Sequence, residues 1–483
     1  MATDLSPLPL LIDGKSIPAS DGSSRPIINP ANGATIANVS DATASDVDAA
    51  VTAAHSAFVN GWGKTKVGDR ATLLRALAAK IRENQEELAL LETQSTGKPI
   101  GSSRGEVGYA AKVYEYYAGI ASSAGGETVP LSANGIGLTF REPIGVCGLI
   151  VPWNFPIVIM AWKLAPCLAM GNTAIVKPAE LTPLTALRVG ELALEVGFPA
   201  GVLNVLPGAG PVAGKALSTH PRVRKISFTG STATGSAIMS ACAGDIKRVS
   251  LELGGKSPSV VFADADIEKA AASVMSIYDN TGQDCCGRSR YLVERSIYSE
   301  FIDRFVANSK AVRIGDPMAS DTEIGPLASS VQWNRVDGYV KQGVAEGAKL
   351  CTGGKKPSNE SFAAGCYYEP TVFADVTPGM AIAQKEIFGP VVAVIPFDSE
   401  TEAVEIANGT PYGLSASVWT RDGGRALRMV RAIESGVISV NSSSSVHLEM
   451  PFGGFKQSGI GRELGPTALD LFSEVKSVFF SAE

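Results

Sequence analysis

Gly145-Val146-Cys147-Gly148-Leu149-Ile150-Val151, running into Pro152-Trp153-Asn154-Phe155-Pro156, decides the fold class. An uncharged apolar run closed by a proline-bounded turn reads as a strand buried on both faces. The pattern then repeats. A helix is expected over about 157–170 and a strand over Thr173–Val176, then a helix over 184–197 and a strand over Gly201–Leu206. A helix over 210–218 precedes strand Lys225–Phe228, and one over 231–242 precedes strand Arg248–Leu253. Repeated βα units imply an α/β fold with an open, mostly parallel, doubly wound sheet, whose ligands sit beyond the carboxyl ends of the strands.

A second series follows Gly254-Gly255. It comprises strand Ser259–Phe262, helix 266–278, strand Tyr291–Val293, helices 298–312 and 329–346, strand Val391–Phe397, helix 401–408, strand Ser415–Thr420 and helix 423–434. Two sheet domains are therefore expected, as a chain of 483 residues requires, because one core rarely serves more than about 300. Upstream, Ser45-Asp46-Val47-Asp48 resembles a capping box with Asp in place of Glu. Residues 67–96 carry helical apolar spacing (Leu73, Leu74, Leu77, Ile81, Leu88, Leu91), and a further helix runs over about 103–123. The tail Val475–Ser481 reads as an edge strand, and 124–143 could pair with it.

Composition excludes several functions. Net charge is −6 and no Lys/Arg run is present, which argues against nucleic acid and anionic lipid. No apolar run approaches the ~18–20 residues of a membrane span. Met1-Ala2-Thr3-Asp4-Leu5-Ser6-Pro7 lacks the basic and apolar regions of a signal peptide. Seven scattered cysteines, an odd number, fit a reducing cytoplasm rather than a disulfide framework. Three histidines (His55, His220, His447) lie at no metal-ligand spacing, so no metal is expected.

Chemistry is expected at the strand ends. Asn154 is a neutral amide able to donate to a developing oxyanion. Lys177-Pro178-Ala179-Glu180 suits ribose hydroxyls. Thr229-Gly230-Ser231-Thr232 opens a helix, where backbone N–H groups suit phosphate. Glu252, between two leucines, would have its pKa raised by apolar surroundings toward the range of a general base. Tyr278-Asp279-Asn280-Thr281-Gly282-Gln283-Asp284-Cys285-Cys286-Gly287-Arg288 sets two cysteines in a polar, glycine-flanked segment, as an accessible thiol requires.

Glu252-Leu253-Gly254-Gly255-Lys256-Ser257-Pro258 followed by Gly282-Gln283-Asp284-Cys285 resembles the aldehyde dehydrogenase superfamily. So do Pro152-Trp153-Asn154-Phe155-Pro156, Lys177-Pro178-Ala179-Glu180, Phe228-Thr229-Gly230-Ser231, Glu386-Ile387-Phe388-Gly389-Pro390 and Pro451-Phe452-Gly453-Gly454-Phe455-Lys456-Gln457-Ser458-Gly459. These matches run in family order along nearly the whole chain. The resemblance implies that Cys285, not Cys286, is the nucleophile, Asn154 the oxyanion donor and Glu252 the base. It implies cofactor contacts at Trp153, Lys177, Glu180, Gly230, Ser231, Leu253, Glu386 and Phe388. It implies a substrate tunnel lined by Tyr109, Phe155, Ile159, Trp162, Asp284 and Phe452.

It further implies two doubly wound open-sheet domains, Rossmann-like for the cofactor (1–123 and 144–254) and catalytic (255–457), with a small β oligomerisation domain (124–143 and 458–483) that builds a homodimer or homotetramer. Glu180 selects NAD because a carboxylate repels a 2′-phosphate, while Lys177 leaves NADP open. The aldehyde is expected to be apolar, aromatic or amino-bearing. A CoA-acylating relative and a crystallin-like structural protein are the alternatives. Asp284 stands out, because a carboxylate beside Cys285 should raise the thiol pKa.

Overall fold

Residues 6–482 are described in the computed structural model, so Met1–Leu5, most of the stretch read for a signal peptide, and Glu483 lie outside the description. Strand Val146–Ile150 is central to an eight-stranded sheet. It pairs in parallel with Thr173–Lys177 on one side and Val223–Thr229 on the other. Leu203–Val205 and Arg248–Glu252 extend the parallel register outward. Side chains of a strand alternate faces. Cys147 and Leu149 thus enter one core with the helices Val67–Glu83, Ile100–Ile120 and Pro156–Ala169. Val146 and Ile150 enter another with Ala44–Val59 and Thr232–Cys242. Burial on both faces explains the continuous apolar run.

A second sheet has seven strands, with Arg290–Glu294 and Pro258–Val261 at its centre and both faces buried in the same alternating way. A three-stranded antiparallel sheet stands apart. Ser473–Ser481 pairs with Gly135–Pro143 along its whole length, and Thr128–Val129 pairs on the other side. No helix among the described residues is long and apolar enough to cross a membrane.

Several expectations need adjustment. The capping box exists two residues earlier. Thr43 Oγ1 accepts from Asp46 N at 3.3 Å, and Asp46 Oδ2 accepts from Thr43 N at 2.8 Å. The helical stretch 67–96 breaks at Asn84, and the 266–278 helix is interrupted after Ala272. Strands Lys349–Thr352, Thr371–Ala374 and Val437–Val440 carry no clear sequence signal. Leu10–Ile12 and Lys15–Ile17 join the first sheet antiparallel.

Gly459–Ile460, expected with the small third domain, hydrogen-bonds instead to Leu251 and Glu252 and closes the edge of the first sheet. The reason is steric. Gly459 has φ +136°, and a Cβ there would lie 1.9 Å from the Leu251 carbonyl oxygen, so only glycine brings the two backbones together. Gly459→Ala is expected to lower the thermal unfolding midpoint, with a cost of about 1–3 kcal/mol. An unchanged midpoint would mean the edge pairing is dispensable.

Candidate active site

The cysteine segment follows a strained stretch of backbone that is held by its surroundings. Asn280 (φ 48°), Thr281 (φ 56°) and Gly282 (φ 72°) pass in succession through left-handed space. That conformation is unfavourable for non-glycine residues and persists only where surroundings over-determine it. Here Thr281 Oγ1 donates to Gly325 O at 2.9 Å, and Gln283 Nε2 donates to Asn280 O at 2.9 Å. Gln283 Oε1 accepts from Ala328 N at 2.8 Å. Gly287 N then donates to Asp284 O at 3.2 Å, which places Cys285 and Cys286 at the centre of a tight turn.

Asn154 follows the end of strand Val146–Ile150, where the chain turns into helix Pro156–Ala169. Its backbone oxygen accepts from Lys98 Nζ at 2.8 Å and from Asn280 Nδ2 at 2.9 Å. Its side-chain amide donates to Gln283 O at 3.0 Å, which orients the second N–H. Lys98 is completely buried, bonds Glu106 Oε2 at 2.5 Å and lies 4.5 Å from the Phe155 ring centroid. Glu92 Oε1 accepts from Ile157 N at 3.0 Å and from Thr185 Oγ1 at 2.7 Å, pinning the first turn of the helix.

Glu252 is buried, with Oε2 lacking any hydrogen-bond partner. Burial first, then the nearby Glu463 carboxylate, push its pKa well above the carboxylate range, against the pull of Lys163 and Arg462. Glu463 itself is bonded by Lys163 and by Ser227 Oγ. Cys285 is half-buried. Its thiol pKa is raised first by a hydrogen bond with Cys286, then by burial and by the charges of Cys286, Asp284 and Glu386. Asp284 thus acts in the expected direction but is not the main cause. Its carboxylate accepts from Cys286 N at 3.0 Å and from Cys286 Sγ at 3.2 Å.

One cavity of about 580 Å³ brings these groups together. Cys285, Glu252 and Asn154 share its wall with Tyr109, Phe155, Ile159, Trp162, Asp284 and Phe452. Trp153, Gly230, Ser231, Leu253, Glu386 and Phe388 line it too. Trp153 meets Phe388 edge-on at 5.2 Å. Glu386 Oε1 accepts from Gly255 N at 2.9 Å, and a Cβ on Gly254 would sit 2.5 Å from Glu386 Oε2.

Lys177 and Glu180 lie outside this cavity, at the end of the neighbouring strand. Lys177 Nζ donates to Pro178 O at 2.8 Å, and Glu180 Oε1 accepts from Gly210 N at 2.6 Å. Thr229 lines the cavity just before helix Thr232–Cys242 and has a buried Oγ1 with no hydrogen-bond partner, beside a helix start that suits a phosphate. That donor set, with the carboxylates of Glu180 and Glu386, fits a dinucleotide.

Sequence reasoning overlooked Lys98, Asn280, Glu92, Lys163 and Glu463. Each acts through a partner distant in the chain. No sequence signal could have found them, because full burial, rare for Lys and Glu unless they are paired, shows only in the folded structure.

The geometry can be set beside known proteins. A family model described as the aldehyde dehydrogenase family matches residues 17–478. The chain is 44% identical over 476 residues to a mitochondrial aldehyde dehydrogenase of Leishmania tarentolae, covering 98% of this chain and 95% of that protein. It is 43% identical over 482 residues to a cytosolic 10-formyltetrahydrofolate dehydrogenase of Xenopus tropicalis, covering 98% of this chain but only 53% of that protein, so it spans about half of that relative's length. A solved betaine aldehyde dehydrogenase of Staphylococcus aureus in complex with NAD+ is similar with a TM-score of 0.97 at 38% identity, over 99% of this chain and 95% of that one.

Two outcomes are expected from the electrostatics. Cys286→Ala removes the largest cause of the raised Cys285 pKa, so the pH profile of Cys285 alkylation should move to lower pH; no movement would assign the shift to burial with the Asp284 and Glu386 charges. Lys256 is fully buried without a hydrogen-bond partner, and burial lowers its pKa to about 7. Its unfolded pKa is near 10.4. Between these values the unfolded chain binds more protons, so this lysine makes stability rise with pH across that window. The difference between wild-type and Lys256→Met unfolding curves, measured from pH 7 to 10, should show that rise.

Proposed function

The chain belongs to the aldehyde dehydrogenase family, and from that premise we propose that it oxidises an aldehyde to the carboxylic acid through Cys285, with NAD as hydride acceptor. The meeting of Cys285, Asn154 and Glu252 on one cavity wall carries this reading. The Cys285 sulfur adds to the aldehyde carbon and forms a thiohemiacetal. The second N–H of Asn154, oriented by the bond to Gln283, and the backbone N–H of Cys285 receive the oxyanion. NAD, when bound, accepts the hydride at its nicotinamide, which leaves a thioester on Cys285. Glu252 then takes a proton from the water that attacks this thioester. Its raised pKa suits the task, and its buried Oε2 has no hydrogen-bond partner in the protein that would compete with a water brought to it.

NAD is held, on this reading, by Ser231 and Gly230 at the helix start, Lys177 and Glu180 at the adenosine ribose, and Glu386 near the nicotinamide ribose, with Trp153, Leu253 and Phe388 as apolar walls. NADP is disfavoured by Glu180, which stays charged because Lys177 and the Gly210 N–H outweigh its burial. Residues 1–123 and 144–254 serve the cofactor, 255–457 the chemistry, and 124–143 with the tail strand assembly.

The substrate end favours a compact cationic aldehyde. Asp284 and Asp279 line the cavity there; Glu106 does too, but it is already paired with Lys98 and burial pushes its pKa up to about 8, so Asp284 is the main group left to receive a cation. The rings of Tyr109, Trp162 and Phe452 suit an ammonium group or an aromatic one. The betaine aldehyde dehydrogenase relative is in keeping with this charge. Assembly as a homodimer or homotetramer is supported by Val475, Phe479, Phe480, Ile136 and Phe140, all exposed on the three-stranded sheet. A cytoplasmic location is consistent with seven free cysteines.

The test is NADH formation across amino, trimethylammonium, aromatic, aliphatic and carboxy aldehydes with NAD and NADP. Amino or trimethylammonium aldehydes should give the highest kcat/KM, and a preference for carboxy aldehydes would refute the charge argument. Cys285→Ala should abolish turnover while NAD still binds. Glu252→Gln should retain a first turnover of NADH and lose most of the steady state, as expected if it acts on the thioester. Substantial turnover by Cys285→Ala would sink the proposal.

A further inference from the structure

Cys285 and Cys286 occupy the central positions of the turn closed by Gly287 N to Asp284 O. This brings both thiols to one side. One ligand atom each from Asp284, Cys285 and Cys286 lies within 4.8 Å of the others. The Asp284 carboxylate is not swinging free, because its Oδ1 already accepts from the Cys286 N–H and thiol. All three residues face the main cavity. Asp284 and Cys286 also face a second, polar cavity of about 470 Å³ lined by Ser276 and by Ser442, Ser443, Ser444 and Ser445. The cluster therefore has open space on two sides.

We propose that Asp284, Cys285 and Cys286 form a three-ligand site for a thiophilic divalent cation such as Zn²⁺, and that a cation held there reversibly silences the nucleophile. Two sulfurs and one oxygen are the donor set of a tetrahedral zinc site with its fourth position open. Zn–S bonds of ~2.3 Å and Zn–O bonds of ~2.0–2.2 Å put ligand atoms at most about 4 Å apart, so side-chain adjustments of about an ångström would close the site. Thiolates select such ions over Mg²⁺ and Ca²⁺, which prefer oxygen.

Binding replaces two S–H bonds with two S–Zn bonds and releases two protons to solvent; no electron moves. Arg288 offsets the charge of the two thiolates. It is fully buried behind the turn, donates from Nη1 to Cys286 O at 2.5 Å, and donates from Nη2 to Ser445 Oγ at 2.7 Å. A single cysteine would bind such an ion weakly. The neighbour and the carboxylate make it a chelate. This inference does not depend on which aldehyde is the substrate.

The test uses the full reduced chain and Co²⁺ as a spectroscopic stand-in for Zn²⁺. One equivalent of Co²⁺ should give a thiolate-to-cobalt absorption band in the near ultraviolet, and excess Zn²⁺ should bleach it. Cys286→Ala should weaken Zn²⁺ binding more than about tenfold, and Asp284→Asn by a smaller factor. In the unaltered chain, Zn²⁺ should protect Cys285 and Cys286 together from iodoacetamide, read by peptide mass mapping, and a chelator should restore reactivity. Zn²⁺ affinity unchanged by Cys286→Ala would reduce the site to Cys285 alone and overturn the proposal. A band that survives in Cys285→Ala/Cys286→Ala would place the ion on Cys351 or Cys366 and overturn it equally.

Discussion

The backbone carbonyl of Asn154 is the point on which the site depends. It lies at the end of a strand buried on both faces, where water does not reach it, and a buried carbonyl needs donors. One comes from Lys98, at the end of the N-terminal helices, and the other from Asn280, in the strained segment that leads to the cysteines. Three separately built parts of the molecule converge on a single oxygen. The arrangement is costly, because Lys98 must lose its water, and Glu106 makes the charge tolerable. Breaking such a buried pair by removing one partner costs ~3–5 kcal/mol, so the geometry around Asn154 is stiff.

Stiffness of this kind is what oxyanion stabilisation needs, since a donor contributes most when it requires no rearrangement. The same burial sets the titration of the neighbours. Glu252 resists ionisation because it is buried beside Glu463, and Cys285 because of its hydrogen bond with Cys286, then burial and nearby negative groups. A base with a raised pKa accepts a proton readily. A thiol with a raised pKa gives one up reluctantly, so on the proposed mechanism deprotonating Cys285 is part of the work of the first step.

Much of this was legible in the sequence where cause and effect are local. Val146–Ile150 is apolar throughout because both faces are covered, and Asn154, Glu180, Ser231 and Glu252 sit at or next to strand ends where a doubly wound sheet must hold its ligands. Gly254-Gly255 divides the two βα series, and both glycines are needed for a close approach, to Glu386 and to the Cys285 carbonyl. What stayed hidden is non-local. Lys98 with Asn154, Glu92 with Ile157, and Lys163 with Glu463 leave no pattern in a linear chain, because burial of a charge shows only once its partner is in place. The capping box was misplaced for a smaller reason: Thr43 and Ser45 are both competent caps, and the choice fell to Asp46 reaching back to the Thr43 N–H.

The pairing of Gly459–Ile460 with Leu251 and Glu252 bears on how the molecule is made. The strand that carries Glu252 is complete near the middle of synthesis, yet its outer edge stays unpaired until residues encoded far downstream have emerged. An open edge is a template for wrong partners. The nascent chain must therefore carry this edge uncovered while residues 253–458 are added, and occupancy by chaperones during that interval should be concentrated there.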